Sequence, residues 1–153
     1  MDSGVKMLQE VKGDWWKSIL KADPVRPHID IDFRITDNRQ SFVLSENGID
    51  ADAVICVAFT NDVATTEEHL HELAGDEVAM LYTVWSHTHG AGRTIVNEMQ
   101  EHLLENYPTV KRIVTLSPPT KMARRFHTNN GAFELQVNDD TVNYEYPILI
   151  FNH

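Results

Sequence analysis

A chain of 153 residues, 42% apolar and 24% charged, has the make-up of an ordinary soluble globular protein and a length suited to one domain. Its 23 acidic residues against 13 basic ones, a formal charge of −10, argue against a general nucleic-acid or acidic-membrane partner, since both need clustered basic charge. The single cysteine, Cys56, excludes an internal disulfide and fits a reducing, cytoplasmic setting; it sits in an apolar run, where a buried inert thiol is expected. The amino terminus has no apolar leader, and no run reaches about 18 apolar residues, so neither secretion nor a membrane span is expected.

Val5, Leu8, Val11, Trp15, Ile19 and Leu20 recur at helical spacing, which predicts an amphipathic helix over residues 4–22, with Gly13-Asp14 a potential break and Asp23-Pro24 the end. The adjacent Trp15 and Trp16 cannot both face a core. From Arg26 the period becomes two: Ile29, Ile31, Phe33 and Ile35 alternate with Asp30, Asp32 and Arg34, the pattern of a half-buried strand with a solvated acidic face. Asp37-Asn38 makes a turn, Ser41 to Leu44 a short strand, and Glu46-Asn47-Gly48 another turn. Ala53 to Thr60 is apolar enough for a central strand covered on both faces. Thr65 and Glu68 form a capping box opening a short helix that Gly75 closes.

A strand over 78–85 then runs into the loop 86–90, followed by a helix from Ala91 to Asn106 with Ile95, Met99, Leu103 and Leu104 on its apolar face. Ile113 to Leu116 is the next strand, Ser117-Pro118-Pro119 its exit, and Thr120 or Lys121 to Asn129 a helix. Phe133 to Val137 and Tyr144 to Phe151 are two last strands about the turn Asn138-Asp139-Asp140. Helix, three strands, helix, strand, helix, strand, helix and two strands make a single α/β (α+β) domain on a mixed sheet.

The block 78–131 carries the chemistry. A strand that stops at Gly90-Ala91-Gly92-Arg93-Thr94 and restarts as a helix aims unpaired N–H groups and the positive end of the helix dipole at one point, an anion site. Lys111-Arg112, Lys121 and Arg124-Arg125 add local positive charge nearby. The loop lacks the Gly-Lys-Ser/Thr ending of a Walker motif. It also lacks the third glycine and the ribose-binding acid of a dinucleotide fingerprint.

His87-Thr88-His89-Gly90-Ala91-Gly92, followed by a helix, a strand and the stretch Ala123-Arg124-Arg125-Phe126-His127-Thr128-Asn129-Asn130-Gly131-Ala132-Phe133, resembles the GNAT superfamily of acyl-CoA N-acyltransferases. Those proteins pair an Arg/Gln-x-x-Gly-x-Gly/Ala loop with a later Ala-x-x-Phe-Tyr-x-x-x-Gly-Phe. The resemblance is specific over roughly residues 78–135 and architectural elsewhere. It implies a mostly antiparallel sheet flanked by helices, and acetyl-CoA or another acyl-CoA cradled at Gly90, Ala91, Gly92, Arg93 and Thr94, with His87 and His89 in the loop. The pantetheine arm would lie against the splayed strand ends, Tyr82, Thr83 and Val84 on one side, with Ser117, Thr120 and Arg124 completing the contacts. It implies direct attack of a small amine or lysine on the thioester, and it is compatible with a homodimer. His127 stands where the family's acid tyrosine does, and a cationic imidazole can protonate the leaving thiolate. His87 in place of Arg or Gln and the inserted Ala132 are departures. No base is assigned, although Glu72, Asp76 and Glu77 flank the entering strand.

Two alternatives stand beside that reading. Tyr82-Thr83-Val84-Trp85-Ser86, Tyr107-Pro108 and Val114-Thr115-Leu116-Ser117-Pro118 also look like the corresponding strands of malonyl-CoA decarboxylase, which cleaves a carboxylate and needs no amine. A domain that binds coenzyme A without turnover would look similar. His87-Thr88-His89 has the spacing of a zinc pair, but no metal site is expected. The Asp-His of a metallo-β-lactamase-like site is missing, and Asn97 and Gln100 stand where a JAMM-type protease needs Ser and Asp.

Overall fold

The computed structural model describes residues 6–36 and 38–148. Seven strands form one sheet in the order β1-β2-β3-β4-β5-β7-β6. They are β1 (Met7–Glu10), β2 (Arg39–Ser45), β3 (Ala53–Thr60), β4 (Val78–Ser86), β5 (Arg112–Thr115), β6 (Phe133–Val137) and β7 (Val142–Tyr146). Every neighbouring pair is antiparallel except β4 and β5. That parallel pair is joined through the 16-residue helix α3 (Ala91–Asn106), the long crossover that parallel strands require. The remaining helices are α1 (Asp14–Leu20), α2 (Glu67–Glu72) and α4 (Lys121–Asn129).

Two apolar cores form, one on each face of the sheet. Ile95, Val96, Met99 and Leu103 of α3 pack with Ile55, Val57, Tyr144 and Tyr146 on one face. Leu20, Leu70, Cys56, Met80 and Tyr82 lie on the other. β3 is buried at all eight positions because both cores share it, as its unbroken apolar run predicts. Each of those α3 side chains contributes roughly 2 kcal/mol of burial. Leu104, expected on the same face, is exposed.

Two amino-terminal expectations fail. Residues 7–10 are an edge strand, not the first part of a helix, because β2 offers them four backbone rungs and Gly13 stops helix propagation. Only Asp14–Leu20 is helical; Trp16 packs on the core, while Trp15 is exposed and donates its indole N–H to the Ile49 carbonyl. The alternating stretch after Arg26 forms turns and a 3-10 segment, Asp32–Arg34, and no strand. Asp30 and Asp32 are indeed exposed, but Arg34 of the same supposed face is 1% exposed. Its guanidinium bonds Asp23 at 2.7 Å and the Arg26 and Ile29 carbonyls. A buried charge must be paired and saturated, and wrapping the chain around Arg34 achieves that where an extended strand could not.

Smaller shifts follow the same logic. Thr66, one residue later than expected, caps α2 by accepting from the His69 N–H, and His69 Nδ1 accepts from the Thr65 N–H in the role expected of Glu68. The last strand is Val142–Tyr146; of its expected continuation to Phe151, residues 149–151 lie outside the described residues, as does Asp37 of the expected turn. Among the described residues no helix is long and apolar enough to cross a membrane.

Candidate active site

β4 and β5 pair only from Val78–Arg112 to Leu81–Thr115, with a last bond from the Leu116 N–H to the Leu81 carbonyl at 3.0 Å. Beyond it they part. β4 continues against β3, and it carries an extra residue there, since Cys56 faces Thr83 while Val57 faces Leu81 and Tyr82 bulges between them. The chain after β5 turns instead to β7, where Ser117 exchanges both backbone bonds with Val142. The split opens a cleft of about 360 Å³ bounded by β4, the β5 exit and α4.

At the wide end lies the glycine loop. His87 N–H donates to the Asp52 carbonyl and the Thr88 hydroxyl to the Asp52 carboxylate, which ties the loop to the start of β3. Gly90 takes φ +82°, a left-handed conformation that glycine adopts without cost, and so starts α3 at a sharp angle. The Ala91 N–H bonds Thr88 and the Thr94 N–H bonds Gly90, but the N–H groups of Gly92 and Arg93 between them have no protein partner among the described residues. Gly92 also packs under α4: a Cβ there would sit 3.3 Å from the Phe126 ring and 3.5 Å from the Ser86 hydroxyl. Beside it Arg93, Arg125, Phe126, Asn129 and Asn130 line a second hollow of about 280 Å³. Free donors at a helix start, two arginines and a glycine-thin wall suit a diphosphate-bearing ligand.

The narrow end is built from side chains. His127, 6% exposed, comes from the last turn of α4 and lines the cleft with Ser117, 3% exposed. The Ser117 hydroxyl shares a 2.7 Å hydrogen bond with Thr115. His127 stacks on Tyr144 at 5.3 Å, and its Nδ1 lies 2.8 Å from the Tyr146 hydroxyl. Burial pushes the Tyr146 phenol up to about 12 and the His127 imidazole down to about 4. Tyr146 therefore keeps its proton, which is available for Nδ1 while the phenol oxygen accepts from the Asn130 amide at 3.5 Å. The imidazole is neutral, and in the tautomer that accepts the phenol proton at Nδ1 its own proton sits on Nε2, which bonds no described residue. Burial thus disfavours the cationic form that an imidazolium acid would need at neutral pH.

Of the residues expected to contact a cofactor, Tyr82, Thr83, Val84, Gly92, Ser117 and Thr120 line the cleft with His127. Arg93 lines the neighbouring hollow. His87, His89, Gly90, Ala91, Thr94 and Arg124 do not line the cleft; Ala91 is buried, and the others shape the loop or lie exposed on it and on α4. Phe126 of the family-like stretch lines the cleft, Pro24 and Val25 do so without a sequence signal for the site, and Tyr146 reaches His127 across 19 residues. Cys56 is fully buried against Ser41 and Arg34, and burial raises its thiol pKa. Among the described residues no three His, Cys, Asp or Glu side chains gather as a metal site.

Neither a protein-family model nor a curated protein matches the sequence. Solved structures do match the fold. Malonyl-CoA decarboxylase from Agrobacterium vitis superposes with a TM-score of 0.75 at 17% identity over 94% of this chain and 60% of that one. Campylobacter jejuni N-acetyltransferase PseH, in complex with acetyl coenzyme A, gives 0.63 at 12% identity over 94% of this chain and 99% of that one. A Bacillus subtilis acetyltransferase in complex with CoA gives 0.64 at 12% identity, covering 96% and 100%. The chain has the GNAT fold, an α+β architecture on a mostly antiparallel seven-stranded sheet. It spans about 60% of the length of the decarboxylase structures.

Proposed function

We propose that the cleft binds an acyl-CoA thioester and that His127 acts on the acyl group. The observation that carries this is a cleft and a neighbouring hollow that share Phe126, with arginines lining the hollow, backbone donors at the start of α3 beside both, and a neutral, tyrosine-held imidazole lining the cleft. Gly92, Arg93 and Arg125 would hold the phosphates, and Tyr82 to Val84 would flank the pantetheine arm.

The chemistry we favour is decarboxylation of a malonyl-type thioester. Among the described residues no Asp or Glu lines the cleft, and a histidine depressed to about 4 is a poor base for stripping an ammonium acceptor. Decarboxylation needs no base. The bond between the carboxylate carbon and the α-carbon breaks, carbon dioxide leaves, and the electron pair moves to the thioester oxygen. Apolar walls withdraw the carboxylate from water, while the Ser117 hydroxyl and the His127 Nε2–H are donors for the developing oxyanion. The α-carbon then takes the Nε2 proton as Tyr146 passes its proton to Nδ1; water reprotonates Nε2, and Nδ1 returns its proton to the phenolate. The decarboxylase structures also give the higher TM-scores, 0.75 and 0.72.

The second reading, acyl transfer from acetyl-CoA to a small amine or lysine, is supported by superpositions in which this chain covers 99–100% of two acetyltransferase chains. One experiment separates them. Stoichiometric acetyl-CoA and carbon dioxide from malonyl-CoA are expected; free CoA thiol released from acetyl-CoA only in the presence of an amine would assign transfer instead. Binding of CoA with neither product would leave a ligand-binding domain.

A further inference from the structure

The segment Asp23–Arg26 crosses the cleft at its closed end, and its two buried charges fasten it to both separated strands. Asp23, 2% exposed, accepts the Thr83 hydroxyl of β4 at 3.0 and 3.2 Å, as well as the N–H groups of Val25 and Arg26 at 2.7 and 3.0 Å. Arg26, 4% exposed, donates at 2.9 Å to the carbonyl of Leu116, just past the end of β5. Arg34 clamps both by bonding the Asp23 carboxylate and the Arg26 carbonyl, each at 2.7 Å. Pro24 and Val25 between the anchors reach the cleft as part of its lining.

Direction follows from the glycine loop. A ligand held by its phosphates at Gly92 and Arg93 extends along β4 from Ser86 toward Leu81, where the strands rejoin. Its acyl end meets the crossing segment. Two anchors of opposite charge, one on each strand, fix that segment more firmly than an apolar loop contact would, because releasing either takes a hydrogen bond from a buried charged group whose ion pair, Asp23 with Arg34 or Arg26 with Glu67, stays in place. We propose that Pro24 and Val25 are the back wall of the acyl site and set the length of acyl group admitted, with Asp23, Arg26 and Arg34 as the residues that position the wall.

This rests on the acyl-CoA reading, and the test distinguishes the two. Calorimetric titration of CoA, acetyl-CoA, propionyl-CoA and butyryl-CoA into the wild-type chain is expected to show affinity falling about tenfold between the two longest acyl groups. Val25→Ala should raise butyryl-CoA affinity about fivefold, and Val25→Phe should lower propionyl-CoA affinity by a similar factor, with CoA itself bound equally by all three. Val25 is only half-buried, and the two variants act in opposite directions, so loss of folding cannot imitate the pattern. Equal acyl profiles in all three proteins, with CoA still bound, would overturn the wall while leaving the cleft reading intact. A wild-type chain that binds none of the four would overturn both.

Discussion

The two ends of the cleft are made of different material. The glycine-loop end is largely main chain: the Gly92 and Arg93 N–H groups without a partner among the described residues, an exposed left-handed Gly90, and buried Gly92 passing close under Phe126. The closed end consists of buried side chains, each fixed by another: His127 by Tyr146 and Tyr144, Ser117 by Thr115. Backbone donors bind a phosphate whatever side chain is nearby, whereas a histidine's protonation state depends on every group around it. One end holds a ligand; the other can do chemistry on it.

That division can be broken from either side. Replacing His127 by Ala should have the largest effect, a loss of roughly 10²–10⁴-fold in turnover with CoA affinity within about twofold of wild type, as read by product formation and titration. A parallel fall in affinity would mean the two ends are not separable. Next comes stability against pH. The unfolded chain protonates this histidine near 6.5 and the folded chain only near 4, so the unfolded state binds the extra proton between those values. Acidification from 6.5 to 4 should therefore cost about 3 kcal/mol through this one group, and urea unfolding of His127→Gln should show that much less acid sensitivity. At the other end, Gly92→Val should weaken CoA binding about thirtyfold by pressing on Phe126 and shielding the free donors, with kcat at saturation retained. The smallest effect is expected from Tyr146→Phe, about a tenfold loss in turnover with the ring still packed. Because the phenol no longer donates to Nδ1, the pH profile of activity should move as well. An unchanged profile would remove Tyr146 from the proton path.

The same contrast explains what the sequence could reveal. From Ala53 onward the strands and helices lie within a few residues of expectation, because glycine, proline, caps and unbroken apolar runs are local signals. The glycine loop was visible for that reason. The stretch 7–36 was not, because its shape answers to distant partners: β1 exists through β2, and Arg34 is buried through Asp23. Ile29, Ile31, Phe33 and Ile35 alternate as a strand would, yet the charge between them is the organising centre. His127 was found through its place in a family-like stretch; its neutral state was not, since that depends on Tyr144 and Tyr146 arriving from another strand. Pro24 and Val25 carry no chemistry of their own and became visible only as geometry.

The parting of β4 and β5 has one more consequence. Sheets end at their margins, where an exposed ladder invites another chain to add on and aggregate. Here a margin lies in the interior, between two strands that remain bonded on their outer sides. A neighbouring sheet cannot reach it; a single extended, amide-bearing thread can. Such a thread would complete the ladder, and the amides of β4 that face the gap would then exchange with deuterated solvent more slowly.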